Sequence, residues 1–128
     1  MRLTAITLCL TASLAYAQTY RLIDLGLVDD QPFLPVCINN NGVIAGYVER
    51  GNQASARSYT WRDGCYLALG SLGGETIPQA INDNNVVVGY SFDYAGRSRA
   101  VKFSAAGEIL DIMPEIDLNL TAKAVNDA

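Results

Sequence analysis

Two kinds of cluster in this chain have the residue types for chemistry. Carboxylates stand in pairs at Asp29-Asp30 and at Glu115 with Asp117, and two carboxyl groups flanking a bond are what glycoside hydrolysis requires. Amide-rich runs stand at Asn39-Asn40-Asn41-Gly42 and Asn82-Asp83-Asn84-Asn85, and oxygen ligands spaced along a loop are how proteins hold calcium. The bland alternative is stronger in both cases. Asp83 is the one charged residue in the two amide runs, and asparagine is a favoured turn former because it bonds its own main chain and tolerates left-handed backbone. The carboxylates that keep step along the chain, Asp24 with Asp111 and Asp83 with Asp127, fall at unit starts and in turns, where structure accounts for them. Histidine is absent, which removes Ser-His-Asp and Cys-His nucleophilic sites, imidazole zinc sites and the usual general base near neutral pH. No catalytic residue, cofactor site or metal site is assigned, and the chain reads as non-enzymatic.

Charge narrows the partners. The 128 residues include 13 acidic and 9 basic side chains, for a net charge of -4. The basic residues Arg50, Arg57, Arg62, Arg97, Arg99 and Lys102 are scattered and form no stripe that could neutralise phosphates. Nucleic acid is therefore excluded as an expected partner. An extracellular protein or polysaccharide of unknown identity remains.

The first segment is an address. Residues 1–17 carry Arg2 as their one charge, then an apolar run from Leu3 to Leu14, then Ala15-Tyr16-Ala17. Those three parts are the pattern of a secretory signal peptide, with cleavage expected between Ala17 and Gln18. The run is too short for a bilayer-spanning helix, which needs about 20 apolar residues. The rest of the chain, 18–128, is expected to be secreted, extracellular or periplasmic, with no membrane attachment once the signal is removed.

That remainder repeats itself. Ile38-Asn39-Asn40-Asn41-Gly42-Val43-Ile44-Ala45-Gly46-Tyr47 is matched by Ile81-Asn82-Asp83-Asn84-Asn85-Val86-Val87-Val88-Gly89-Tyr90, and Ala124-Val125-Asn126-Asp127-Ala128 opens a third copy. Units begin near residues 24, 68 and 111, with the last cut off. Branched and aromatic residues between the turns fit a pleated sheet. The expected strands are Pro35–Asn39, Val43–Val48, Ser58–Trp61 and Tyr66–Leu69, then Pro78–Asn82, Val86–Phe92, Ala100–Ser104 and Glu108–Ile112. The first two strands of each unit should form a hairpin, closed by a two-residue Asn-Gly turn in one and by Asn84-Asn85 in the other. Four strands in a period of about 43 residues is propeller-blade arithmetic. The fold class is thus all-β, an incomplete propeller-like array of antiparallel four-stranded repeats.

Gly46 and Gly89 interrupt equivalent strands, which implies a bulge or a close backbone approach between neighbouring sheets. Tyr47, Tyr90, Trp61 and Phe103 also recur in step; repeated aromatics usually form the core between blades, and a carbohydrate-binding face is the alternative. Two cysteines follow the signal, Cys37 and Cys65, and an even count in an oxidising compartment raises a disulfide between them. Against it, Cys37 aligns with the small residues Ala80 and Ala124, whereas Cys65 aligns with Glu108, so the two occupy unlike environments.

Asp24-Leu25-Gly26, Ser71-Leu72-Gly73-Gly74, Ala80-Ile81-Asn82-Asp83 and Val88-Gly89-Tyr90 together resemble the bacterial extracellular HAF repeats. The resemblance spans the region after the signal, as two full units and a truncated third. Arg57-Ser58-Tyr59 and Arg99-Ala100-Val101 stand where the family has His-Ala-Phe, and Leu27-Val28-Asp29-Asp30 stands where Ser71-Leu72-Gly73-Gly74 keeps the family form. The resemblance implies secretion and a β-rich, propeller-like array, and it brings no catalytic residues. A blade cannot bury both its faces alone, and the sequence stops inside a motif. It therefore reads as a fragment of a longer secreted propeller; a complete chain would carry open strand edges prone to self-association. The expected function is a non-enzymatic binding or surface-contact module. The alternative is part of a secreted hydrolase or lyase whose catalytic residues lie outside this chain.

Overall fold

A computed structural model describes residues 19–51 and 54–128; the signal segment and its Ala17-Gln18 junction lie outside the described residues. The chain is all-β. A short hairpin, β1 (Leu27–Val28) and β2 (Gln31–Pro32), precedes eight strands: β3 (Leu34–Ile38), β4 (Ile44–Arg50), β5 (Ala54–Arg62), β6 (Cys65–Ala68), β7 (Gly73–Ile81), β8 (Val87–Asp93), β9 (Ser98–Phe103) and β10 (Ile109–Asp111). All eight strands expected from the repeat are present. Among the described residues no helix is long and apolar enough to cross a membrane.

The eight strands form two four-stranded antiparallel sheets of identical order, β3-β4-β5-β6 and β7-β8-β9-β10. Each strand pairs with its neighbour in sequence, which short turns permit. The two sheets are not closed into a ring or barrel by further strands among the described residues.

Turn chemistry fixes the first hairpin of each sheet. The Gly42 amide bonds the Asn39 carbonyl at 3.2 Å and the Asn39 amide bonds the Val43 carbonyl at 3.1 Å. Gly42 (φ 75°) is left-handed, as is its counterpart Asn85 (φ 60°). This is the longer loop that ends in a left-handed residue, not the two-residue turn expected from Asn-Gly. The Oδ1 atom of Asn39 explains the difference: it accepts the amides of Asn41 and Val43 at 3.1 and 2.9 Å, and Asn82 does the same for Asn84 and Val86 at 3.1 and 2.8 Å. A side chain bonding residues two and four ahead holds the backbone in a wider turn.

Gly46 and Gly89 sit opposite irregularities at equivalent places in the partner strands, Pro35/Cys37 and Pro78/Ala80. A Cβ on Gly46 would lie 2.3 Å from the Leu34 carbonyl oxygen, and one on Gly89 would lie 2.2 Å from that of Ile77. The bulge expected from sequence is found; the close approach expected between neighbouring sheets is corrected. The approaching backbone belongs to the adjacent strand of the same sheet, because the bulge pushes that strand's carbonyl toward the glycine.

The main core lies between the sheets. Cys37 and Ala45 of the first sheet, with Leu69 and Leu72 of the link, meet Val87, Val101, Phe103, Ile81 and Ile109 of the second. Val87, Val101 and Phe103 have no exposed surface, and each such side chain contributes roughly 1.5–3 kcal/mol of transfer free energy. A smaller cluster on the other face of the first sheet gathers Phe33, Val48 and Trp61 under Leu25 and Val28. The hydroxyl of Tyr66 donates to the Leu25 carbonyl and pins the N-terminal segment there.

The cysteines stand on opposite edge strands of one sheet, Cys37 on β3 and Cys65 at the start of β6. Both thiols are free. Three interstrand steps of about 4.8 Å put them roughly 14 Å apart, whereas a disulfide needs Cα atoms within about 4.4 to 6.8 Å. The bridge raised by the even cysteine count is therefore corrected to two separate thiols.

Candidate functional site

The amide-rich turns do not face solvent as isolated loops; they stack on one another. Asn39 Nδ2 donates to the Asn82 carbonyl (2.9 Å) and to Asn85 Oδ1 (2.7 Å), and Asn41 Nδ2 donates to the Asp83 carbonyl (2.7 Å). Asn40 gives its main-chain amide to Asp83 Oδ1 (2.9 Å) and its side-chain amide to Oδ2 (2.7 Å). The next step repeats the arrangement, from Asn82 Nδ2 to the Asn126 carbonyl (2.8 Å) and from the Asp83 amide to Asp127 Oδ1 (2.7 Å). Both Asp83 oxygens are thus occupied by amides, and those hydrogen bonds hold its carboxyl below the usual value. Of the asparagines considered as calcium ligands, Asn39, Asn40, Asn41 and Asn82 give their side-chain NH2 groups to the neighbouring segment, while the side-chain oxygens of Asn39 and Asn82 accept amides of their own turns.

The carboxylates considered for hydrolysis are likewise placed by structure. Asp29 and Asp30, at φ 51° and 61°, form the tight turn between β1 and β2, and Asp29 pairs with Arg50 at 2.8 Å. Asp117 pairs with Arg97, while Glu115 is exposed in the segment after β10. Asp24 and Asp111 accept the amides of Gly26 (2.8 Å) and Met113 (3.0 Å), so the recurring unit starts are recurring turns.

The four repeated aromatics divide into two pairs. Phe103 is fully buried and Trp61 is 8% exposed; both are core. Tyr47 and Tyr90 are half-buried and line one cleft of about 350 Å³ at the junction of the two sheets. β4 brings Tyr47, Glu49 and Arg50 to this cleft, β7 brings Glu75 and Ile77, and β8 brings Tyr90. The Tyr90 hydroxyl lies 3.4 Å from Glu75 Oε1, donating along a long bond. Burial, then the Glu75 charge, raises the Tyr90 hydroxyl above its usual pKa, with Tyr47 adding to the effect. The arrangement presents two tyrosine rings and two carboxylates to one opening, a set suited to binding a small polar or cationic group.

Glu49 and Glu75 escape a reading of the sequence because they do not recur in the repeat. Residues that break the pattern beside a repeated tyrosine are the available signal: Glu49 stands where the next unit has Phe92. Arg57 and Arg99, which align in sequence, also part company. Arg57 is exposed, whereas Arg99 is 4% exposed, pairs with Asp111 at 2.9 Å and donates to the carbonyls of Ile116, Met113 and Pro114 at 2.6, 3.0 and 2.9 Å.

Compared with protein-family models, with curated proteins and with solved structures, the chain finds no significant match in any of the three.

Proposed function

We propose that this chain is a secreted, non-enzymatic repeat module of the HAF type, arranged as neighbouring blades of a propeller-like array, and that it binds its partner at the cleft between the first two sheets. The observation that carries the binding reading is that Tyr47 and Tyr90 are half-buried and line that cleft while Trp61 and Phe103, equally regular in sequence, are buried. Core packing accounts for one pair of aromatics and leaves the other pair with surface open to the cleft.

Support for the array comes from the segment after β10. Its Leu120 amide bonds the Ser98 carbonyl (2.7 Å), its Ala122 amide bonds that of Gly89 (3.1 Å) and its Asn126 and Asp127 continue the amide stack. It lies on the second sheet much as β7 lies on the first, where Ser58 Oγ donates to the Thr76 carbonyl at 2.7 Å. Secretion rests on the signal pattern of residues 1–17 and on the HAF resemblance, and N-terminal sequencing of exported protein beginning at Gln18 would bear it out.

The binding reading is tested by screening immobilised extracellular polysaccharides and peptides with the wild-type chain and a Tyr47→Ala/Tyr90→Ala variant. Capture lost in the variant at unchanged melting temperature supports the cleft. Equal capture by both chains removes it. The second reading, a hydrolase, is favoured by one observation, that Glu49 and Glu75 line the same cleft; turnover abolished by Glu75→Gln would establish it.

A further inference from the structure

We propose that the inter-sheet cleft takes a lysine side chain from a basic extracellular peptide, holding its ammonium between the tyrosines and Glu75; this rests on the cleft being the binding site. The polar groups at the opening are mostly acceptors. Glu49 and Glu75 are carboxylates, and Arg50, the one cation lining the cleft among the described residues, has its charge paired with Asp29 at 2.8 Å. An anionic ligand would meet two carboxylates with no ion pair of their own among the described residues, and a neutral sugar would find its donors limited to the tyrosine hydroxyls and the remaining N–H groups of Arg50. An ammonium group supplies three donors and no acceptor, which is what this opening lacks.

The remaining features fit the rest of the side chain. Tyrosine rings attract a cation near their faces by the ring quadrupole, and Tyr47 and Tyr90 border the same space. Glu75 accepts one long bond, 3.4 Å, from Tyr90, so its carboxylate retains acceptor sites for an incoming donor. Ile77 and Ala56 add apolar wall, against which the four-carbon lysine stem can lie while its charged end reaches the carboxylates. The net charge of -4 favours approach of a basic partner.

The test is an amide chemical-shift titration of the full chain with trilysine, trilysine acetylated on its side-chain nitrogens, a glucosamine trimer and its N-acetylated form. We expect trilysine to shift the amides of Tyr47, Glu49, Glu75 and Tyr90. Acetylation, Glu75→Gln and Tyr47→Ala should each weaken binding about tenfold or more, and added salt should weaken it further. Glu49→Gln, on an exposed side chain, provides a second charge variant whose fold is not at risk. Tighter binding of the glucosamine trimer than of trilysine would overturn the lysine occupant in favour of an amino sugar. Equal binding of acetylated and free forms would overturn the ammonium claim while leaving the cleft a binding site. No shift at these amides with any probe would overturn both.

Discussion

Asn40 and Asp83, 43 residues apart, are joined by two hydrogen bonds, amide nitrogen to Oδ1 at 2.9 Å and Nδ2 to Oδ2 at 2.7 Å. The repeat step seen in the sequence is thus the step of a physical contact. Each hairpin turn is a surface on which the neighbouring turn is seated, and the sheets are held in register at their turn ends as well as through the apolar core.

This contact carries a pH signature. Hydrogen bonds from Asn40 lower the folded pKa of Asp83 below its usual 3.8. A depressed carboxylate contributes stability above its unfolded pKa and loses it as pH falls through the folded value. The melting temperature should therefore fall with acid below about pH 4, in the range where Asp83 protonates. Asp83→Asn should flatten part of that fall; Asp93, also lowered by bonds from Arg97 and Ala95, accounts for another part. Melting curves from pH 6 to pH 2.5 on both chains make the comparison.

Glycine at position 46 is required by space. Gly46→Val places a branched side chain against the Leu34 carbonyl and the Phe33 ring, and should destabilise by about 3 kcal/mol. Gly51, where a Cβ would meet nothing within 4 Å, is the control; Gly51→Ala should change stability by less than about 0.5 kcal/mol. Urea unfolding of the two variants separates the cases.

Arg99→Ala should cost about 1–3 kcal/mol, because it removes a buried guanidinium from Asp111 and from three part-buried bonds to backbone carbonyls. Arg57→Ala, at the aligned position in the first sheet but exposed, should lie within about 0.5 kcal/mol of wild type. Equal losses in thermal unfolding would mean that the two arginines share one environment.

The thiols should differ in reactivity. Cys65 is exposed, whereas Cys37 is half-buried with its thiol pKa raised by burial, and the thiolate is the reacting form. A thiol reagent at pH 8 should label Cys65 first and Cys37 slowly. Intact mass should be the same before and after reduction.

The strands and the positions of the turns were legible because their signals are local. Branched residues in Val43–Val48 and Val86–Phe92, bounded by asparagine and glycine, specify a hairpin without reference to the rest of the molecule. The bulges were legible through Gly46 and Gly89, since only a missing side chain admits the carbonyl opposite. The destination of the asparagine side chains was not. Turn propensity explains why Asn40 is in a turn, but nothing within a turn announces that Asp83 of the next one lies within hydrogen-bonding reach. The division of the aromatics was hidden for a similar reason: Tyr47 and Trp61 both recur in step, and they fall on opposite faces because Trp61 pairs with Ile44 while Tyr47 pairs with Ser58, a register that recurrence alone does not state. The carboxylates of the cleft carry no such signal, because Glu49 and Glu75 do not recur in the repeat.

The most direct test of the stacked-turn account is a double-mutant cycle on Asn40→Ala and Asp83→Ala, read as melting temperature at pH 7. If the two turns hold each other, each single change lowers the melting temperature, and the second costs clearly less once the first is present. Losses that simply add would contradict the account, because the two residues would then be acting within their own turns and not across the step between them.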